Sequence, residues 1–118
     1  MYKLLQIVDD NVVAEHTLTE GIFNIGRNPG NDVQPDDESV SGNHARITLA
    51  TSAYLDDALD AAIEDLGSTN GTFINGRPVK RQLLKHGDVL AIGTQRFKFV
   101  NTQALAVGGT RILLQEDS

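Results

Sequence analysis

The sequence predicts an all-β domain, because short apolar stretches alternate with turn-forming residues along most of its length. The dipeptide Asn75-Gly76 is a strong hairpin-turn signal, since both residues tolerate positive φ. Gly93-Thr94-Gln95 separates two further apolar stretches, and residues 45–49 alternate apolar and polar side chains. Together these observations favour a β-sandwich or a β-barrel.

The predicted strands follow one another at short intervals from the N-terminus. The first ends at Asp9-Asp10-Asn11, and Glu20-Gly21 separates the second from the third. From the composition of these stretches we predict strands at 3–8, 16–18, 22–25, 45–49, 72–74, 88–92 and 96–100.

One segment is ambiguous. The apolar residues between Tyr54 and Leu66 have helical spacing, which by itself predicts an amphipathic helix. The alternative is a hairpin, with Asp56-Asp57 near its turn and a strand from about Ala61 to Leu66. The pattern leaves both structures open.

Composition limits the classes of protein. The chain has 118 residues, of which 40% are hydrophobic, and this suits one compact domain. A net charge of −6 argues against general nucleic-acid binding, and the absence of cysteine excludes disulfides and thiolate metal sites. The chain lacks both an apolar run long enough for a membrane span and the features of a signal peptide. We therefore predict a cytoplasmic protein that binds neither nucleic acid nor membranes.

Catalytic patterns are missing around the two reactive side chains of the polar stretch SVSGNHARI, Ser41 and His44. Neither the G-x-S-x-G elbow nor the S-x-x-K pattern is present, and no third residue orients the histidine. The histidines at 16, 44 and 86 lack metal-ligand spacing, and a Walker loop is absent. The sequence thus predicts a protein that is not an enzyme and holds neither a metal nor a cofactor.

Three predicted loops instead carry hydrogen-bond donors. Gly26-Arg27 follows one strand, Ser41-Gly42-Asn43-His44 precedes another, and the stretch from Gly67 to Thr72 separates two more. They offer a guanidinium, several hydroxyls, an amide and backbone N–H groups exposed by glycine. Such donors suit the holding of a phosphate.

In this order and spacing the sequence resembles the forkhead-associated (FHA) domain, a module that binds phosphothreonine peptides. The matching residues are Gly26-Arg27, Ser41-x-x-His44, Gly67-Ser68-Thr69-Asn70-Gly71-Thr72, Asn75-Gly76, Gly87-Asp88 and Ile92-Gly93. The resemblance covers roughly residues 3 to 100. It implies an eleven-stranded β-sandwich of two antiparallel sheets with the binding loops at one end. It also implies that residues 50–60 connect two strands, so we predict a strand at about 61–66 and leave a short helical turn within 54–60 open.

The resemblance implies roles for nine residues. Arg27 pairs its guanidinium with the phosphate, and Ser41 donates both its hydroxyl and its backbone N–H to phosphate oxygens. Thr69 contacts the phosphate or the ligand backbone, and Asn70 bonds the peptide main chain beside the phosphothreonine. The predicted phosphopeptide-binding residues are Arg27, Ser41, Gly42, Asn43, Thr69 and Asn70, and the predicted supporting residues are Gly26, His44 and Gly71.

Two departures from the family pattern affect the expected specificity. Gly42 stands where the family often has arginine or asparagine, so only its backbone contributes there, and either the affinity is lower or Asn43 compensates. Ser39 stands where some members carry a basic residue, next to the acidic stretch 36–38. We expect this stretch to disfavour acidic ligand flanks and to favour Lys or Arg mildly.

The function implied is that of a signalling adaptor that binds a phosphothreonine-containing protein or peptide as a monomer. A constitutive scaffold with an idle phosphate site is the alternative, and a phosphatase-like enzyme is the least supported. We predict an FHA domain at 1–100 and a C-terminal tail at 101–118, with either a final strand at 111–114 or a linker. Thr110, if phosphorylated, is a candidate ligand for the site of its own or a neighbouring molecule.

Overall fold

A computed structural model describes residues 1–51 and 59–102. The ten strands of this part form two antiparallel sheets, in the orders β2-β1-β10-β9-β6-β7 and β3-β4-β5-β8. Their bounds are β1 Tyr2–Val8, β2 Asn11–Leu18, β3 Gly21–Ile25, β4 Ala45–Thr51, β5 Leu59–Asp65, β6 Thr72–Ile74, β7 Arg77–Val79, β8 Arg81–Leu83, β9 Val89–Ile92 and β10 Gln95–Asn101. The predicted all-β sandwich is confirmed. No helix in 1–51 or 59–102 is long and apolar enough to cross a membrane.

The core lies between the two sheets and follows from alternation along the strands. In β4 the side chains of Ala45, Ile47 and Leu49 are buried, and in β10 those of Phe97 and Phe99 are buried. Alternate residues of a strand point to opposite faces, so each strand presents its apolar side to the other sheet. The sheets are thereby held in fixed positions, and so are the loops that leave them.

The ambiguous segment contains a strand. β5 pairs with β4 along its whole length, which confirms the predicted strand and overturns the helix that the apolar spacing alone predicts. Ala61, Ala62 and Ile63 are all buried. Because β5 is an inner strand between β4 and β8, the small side chain of Ala62 is covered as well, although it lies on the opposite face of the strand from Ala61 and Ile63. Residues buried on both faces break the period-two pattern. The predicted helical turn within 54–60 lies mostly outside the described residues.

Sequence reasoning missed β7, β8 and residues 11–15 of β2. β7 and β8 are three residues long, lie at sheet edges and are mostly exposed, so they are too short to show the expected apolar alternation. The resemblance implies eleven strands, whereas the described part has ten and a single parallel bridge between Ile25 and Val33. The tail predicted at 101–118, with Thr110, lies outside the described residues apart from its first two positions.

Candidate functional site

Three loops meet at one end of the sandwich. They join β3 to β4 (26–44), β5 to β6 (66–71) and β9 to β10 (93–94). The N–H of Thr69 donates to Oγ of Ser41 at 3.0 Å, and the N–H of Thr94 donates to Oγ of Ser39 at 2.8 Å. We call this region the loop end.

Gly26 allows the chain to pass close to the loop that carries Ser41. A β-carbon at position 26 would lie only 2.2 Å from the carbonyl oxygen of Gly42, which no side chain tolerates. Backbone hydrogen bonds hold the same contact, from Arg27 N to Ser41 O (3.1 Å) and from Asn28 N to Gly42 O (2.9 Å). The structure therefore supports the predicted supporting role of Gly26 through close backbone approach.

Arg27 is held at one end of its guanidinium. Its Nε donates to the carbonyl oxygen of Val40 at 2.5 Å, and the side chain is exposed. The two terminal nitrogens have no protein partner among the described residues, so their donors remain available. One bond from the protein thus orients a planar, permanently charged fork at the edge of the Ser41 loop.

Ser41 is engaged differently from the expectation. Its backbone N–H, predicted to reach the phosphate, donates to Nδ1 of His44 at 3.0 Å, so that part of the prediction is corrected. Its hydroxyl oxygen accepts the N–H of Thr69, which leaves the hydroxyl proton free to be donated elsewhere. Ser41 therefore offers a ligand one oriented O–H donor.

His44 connects two of the loops and is completely buried. Because Nδ1 accepts the Ser41 N–H, the ring proton lies on Nε2, which faces the carbonyl oxygen of Gly71 at 2.8 Å. Both ring nitrogens are thus used within the protein. The predicted structural role of His44 agrees with this geometry, and a role as general base for Ser41 does not, because neither nitrogen contacts the hydroxyl.

The exposed side chain of Asn28 lies beside Gly42. A β-carbon at position 42 would lie 2.7 Å from Nδ2 of Asn28, whose side chain occupies the space beside the loop. Asn31 fixes the same region, because its Nδ2 donates to the carbonyls of Asn28 (2.9 Å) and Gly42 (3.0 Å) and to Oδ1 of Asn43 (3.3 Å). Among the described residues the N–H of Gly42 has no partner, so it is a free donor beside Ser41.

Thr69 and Asn70 lie at the exposed tip of the second loop. Asn70 donates from Nδ2 to the carbonyl oxygen of Ser39 at 2.8 Å, which positions its side chain and leaves its amide oxygen to accept from a ligand. Gly71 has φ of +87° and passes its carbonyl to His44. The structure thus brings all nine predicted residues to the loop end.

Asp65, which sequence reasoning missed, shapes the second loop. Its carboxylate accepts from the hydroxyls of Ser68 (2.5 Å) and Thr72 (2.7 Å) and from the N–H groups of Gly67 and Ser68 (both 3.1 Å). Partial burial raises the pKa of Asp65, but these hydrogen bonds outweigh it and hold the pKa below the ordinary 3.8. Its position two residues before Gly67 and three before Ser68, from which a carboxylate can accept the N–H groups of both, is the sequence signal that identifies it.

This carboxylate makes the stability of the fold depend on pH. A carboxyl whose pKa is lower in the folded than in the unfolded chain stabilises the fold when it is ionised. This contribution is complete above the pKa of the unfolded chain and is lost as the pH falls through the pKa of the folded chain. We expect Asp65→Asn to lower the free energy of unfolding at pH 7 by about 1.5–3 kcal/mol. The amide nitrogen of asparagine would place N–H donors where the carboxylate now accepts hydrogen bonds from other donors. In urea denaturation from pH 2 to pH 7, the free energy of unfolding of this variant should also fall less steeply toward acid pH than that of the parent. The exposed Asp10→Asn is the control, and equal curves for the two variants would contradict the assignment.

Asp37 is a second carboxylate that sequence reasoning treated only as part of an acidic stretch. It accepts from the N–H (2.8 Å) and hydroxyl (2.6 Å) of Ser39, from the hydroxyl of Thr94 and from the amide of Gln95 (2.8 Å). The hydrogen bond from Ser39, followed by those from Thr94 and Gln95, holds the pKa of Asp37 well below its usual range. Asp37 therefore joins the Ser41 loop to the β9–β10 turn, and of the stretch only Asp36 and Glu38 present exposed carboxylates.

Comparison with known proteins agrees with this geometry. The family model of the FHA domain matches residues 23–93. The glycogen accumulation regulator GarA of Mycobacterium tuberculosis is 33% identical over 90 residues, which are 76% of this chain and 51% of GarA. The chain therefore spans about half the length of this curated relative.

Two solved structures have the same fold. The FHA domain of a Chlamydia trachomatis protein is 31% identical, with a TM-score of 0.73, over 85% of this chain and 96% of that one. A second FHA domain, from work on phosphothreonine-dependent interactions, is 30% identical, with a TM-score of 0.71, over 85% and 95% of the two chains.

Proposed function

This chain belongs to the FHA domain family, and on that premise we propose that its loop end binds phosphothreonine in a partner protein or peptide. The observation that carries the proposal is the convergence of the Arg27 guanidinium, whose terminal nitrogens have no partner in the described part of the chain, the Ser41 hydroxyl and the Thr69–Asn70 tip. The FHA domain with 30% identity comes from work on phosphothreonine-dependent interactions, which supports the same ligand.

The chemistry of the donors fits a doubly charged phosphate. The terminal nitrogens of Arg27 supply charge-assisted hydrogen bonds, and the hydroxyl of Ser41 and the free N–H of Gly42 supply two neutral ones. Asn43 and Thr69 add exposed side chains beside them, and Asn70 has a free amide oxygen for the ligand main chain. The sandwich supplies the rigid support that such an arrangement needs.

Binding without chemical change follows from the same contacts. Among the described residues no base contacts the Ser41 hydroxyl, because His44 uses both ring nitrogens elsewhere. We therefore propose a cytoplasmic, monomeric adaptor with its binding domain at 1–100, and not an enzyme. A phosphate-release assay on a bound phosphopeptide checks this, and release above the buffer rate would contradict it.

The function is tested by titration with one peptide in three forms: threonine, phosphothreonine and phosphoserine. We expect the phosphothreonine form to bind far more tightly than the unphosphorylated form. Equal affinity for these two would favour a constitutive scaffold with an idle site. Phosphoserine should bind about fourfold more weakly, because burial of one methyl group contributes roughly 0.8 kcal/mol. Equal affinity for the two phosphorylated forms would contradict a pocket for the methyl group.

A further inference from the structure

A positively charged edge begins beside the loop end at Lys80 and extends along β7 to Arg77, which pairs with Ile74 at the other end of β6. It consists of Arg77, Lys80 and Arg81, which lie on or between β7 and β8 and are all exposed. We call these three residues the basic edge. They stand out because the chain as a whole carries a net charge of −6.

The basic edge adjoins the candidate site directly. The carbonyl oxygen of Lys80 accepts the N–H of Asp65 at 2.8 Å, and Asp65 in turn holds Ser68 and Thr72 of the second loop. An open groove of about 370 Å³ leads from the loop to the edge. It is lined by Asp65, Gly71, Thr72, Pro78, Val79 and Lys80.

Nearby carboxylates do not neutralise these cations by direct pairing. Asp65 is occupied by four donors of its own loop, and Glu64, which lies opposite Arg81 in register, pairs with Arg46 at 2.9 Å. Asp88 accepts from the side chain of Asn75 and from the N–H of Lys85. In the described part of the chain none of the three cations of the basic edge forms an ion pair.

The other side of the loop end has the opposite charge, because Asp37 is bonded to Thr94 and Gln95 at the β9–β10 turn and β6 separates β9 from β7 in the sheet. There the exposed carboxylates of Asp36 and Glu38 precede the Ser41 loop, and Asp37 is committed to its internal hydrogen bonds. A ligand that crosses the loop end therefore meets negative potential on one side and positive potential on the other. This asymmetry distinguishes the two directions along a bound peptide.

We propose that the basic edge binds an acidic segment of the phosphorylated partner, located within a few residues of the phosphothreonine and on one side of it only. The inference rests on the proposed function of the loop end. From Lys80 to Arg77 the strand covers three residues, about 10 Å, which three extended residues of a ligand also cover. Acidic side chains at those ligand positions would reach the cations, and the Pro78–Val79 surface lies between them.

The test uses three phosphothreonine peptides of equal length. One has alanine on both sides, one has three glutamates before the phosphothreonine, and one has three glutamates after it. We expect one acidic peptide to bind about threefold to tenfold more tightly than the alanine peptide at low salt, since exposed pairs contribute about 0–1 kcal/mol each. The gain should disappear in about 1 M salt, where the screening length falls to roughly 3 Å.

Variants assign the gain to the basic edge. Arg77→Glu/Lys80→Glu should abolish it and leave the affinity for the alanine peptide within about twofold. Lys98→Glu, on β10 and exposed, should leave the gain intact. Equal affinity for all three peptides, a gain on both sides, or a gain that survives the double variant would overturn the inference and leave the proposed function standing. Failure of every phosphopeptide to bind would overturn both.

Discussion

Replacement of Arg27 by alanine is expected to weaken phosphopeptide binding by about tenfold or more, because a charge-assisted pair with phosphate contributes on the order of 1.5–3 kcal/mol. The side chain is exposed, and among residues 1–51 and 59–102 its one side-chain hydrogen bond, from Nε to the Val40 carbonyl, leaves the terminal nitrogens available. Isothermal titration of the phosphothreonine peptide measures the loss directly.

Two further variants separate charge from geometry. Arg27→Lys keeps the charge but loses the planar fork and the Nε donor, so its affinity should lie between those of the parent and the alanine variant. Lys98→Ala removes a cation from an exposed position on β10 and should leave binding unchanged. All three should unfold within about 1 kcal/mol of the parent, since surface changes of this kind have small effects on stability. An Arg27→Ala variant with parental affinity would contradict the site assignment.

The recurring family residues made the loop end predictable from the sequence. Glycine and hydroxyl residues in fixed order, from Gly26-Arg27 to Asn70-Gly71, identify the loops because these positions demand specific backbone shapes and donors. The strands of the core were equally accessible, since Ala45, Ile47 and Leu49 alternate along β4. A sequence pattern reflects residues that are close together along the chain, and both the loop motifs and the alternation in β4 are of this kind.

The features that sequence reasoning missed depend on distant partners. Asp37 looks like a solvated acid, yet it accepts from Thr94 and Gln95, which are more than fifty residues away. The predicted Ser41 N–H contact was wrong because the buried ring of His44 takes that donor. The edge strand β7 escaped notice because a strand of three residues, two of them exposed, is too short to show apolar periodicity. Only the packed fold brings these groups together.

Loss of the His44 side chain is expected to affect both stability and binding. The ring is fully buried and joins the Ser41 N–H to the Gly71 carbonyl, so His44→Ala leaves a cavity and two polar groups without partners. Each buried unsatisfied group costs about 1–3 kcal/mol, and truncation adds a cavity cost, so we expect a loss of about 2–5 kcal/mol in the free energy of unfolding. Urea denaturation measures it.

The matched control is His16→Ala, because His16 is a half-buried histidine whose Nε2 has no partner in the described part of the chain. Its loss removes a ring contact with Phe23 at 6.1 Å between ring centres but breaks no hydrogen bond between loops, so its effect on stability should be smaller and its effect on binding negligible. At a low temperature at which the His44→Ala protein is folded, it should bind phosphopeptide more weakly than the parent. Ser41 and the Thr69–Asn70 tip lose their common support in this variant. If folded His44→Ala protein bound as tightly as the parent, His44 would support the fold alone and not the geometry of the site.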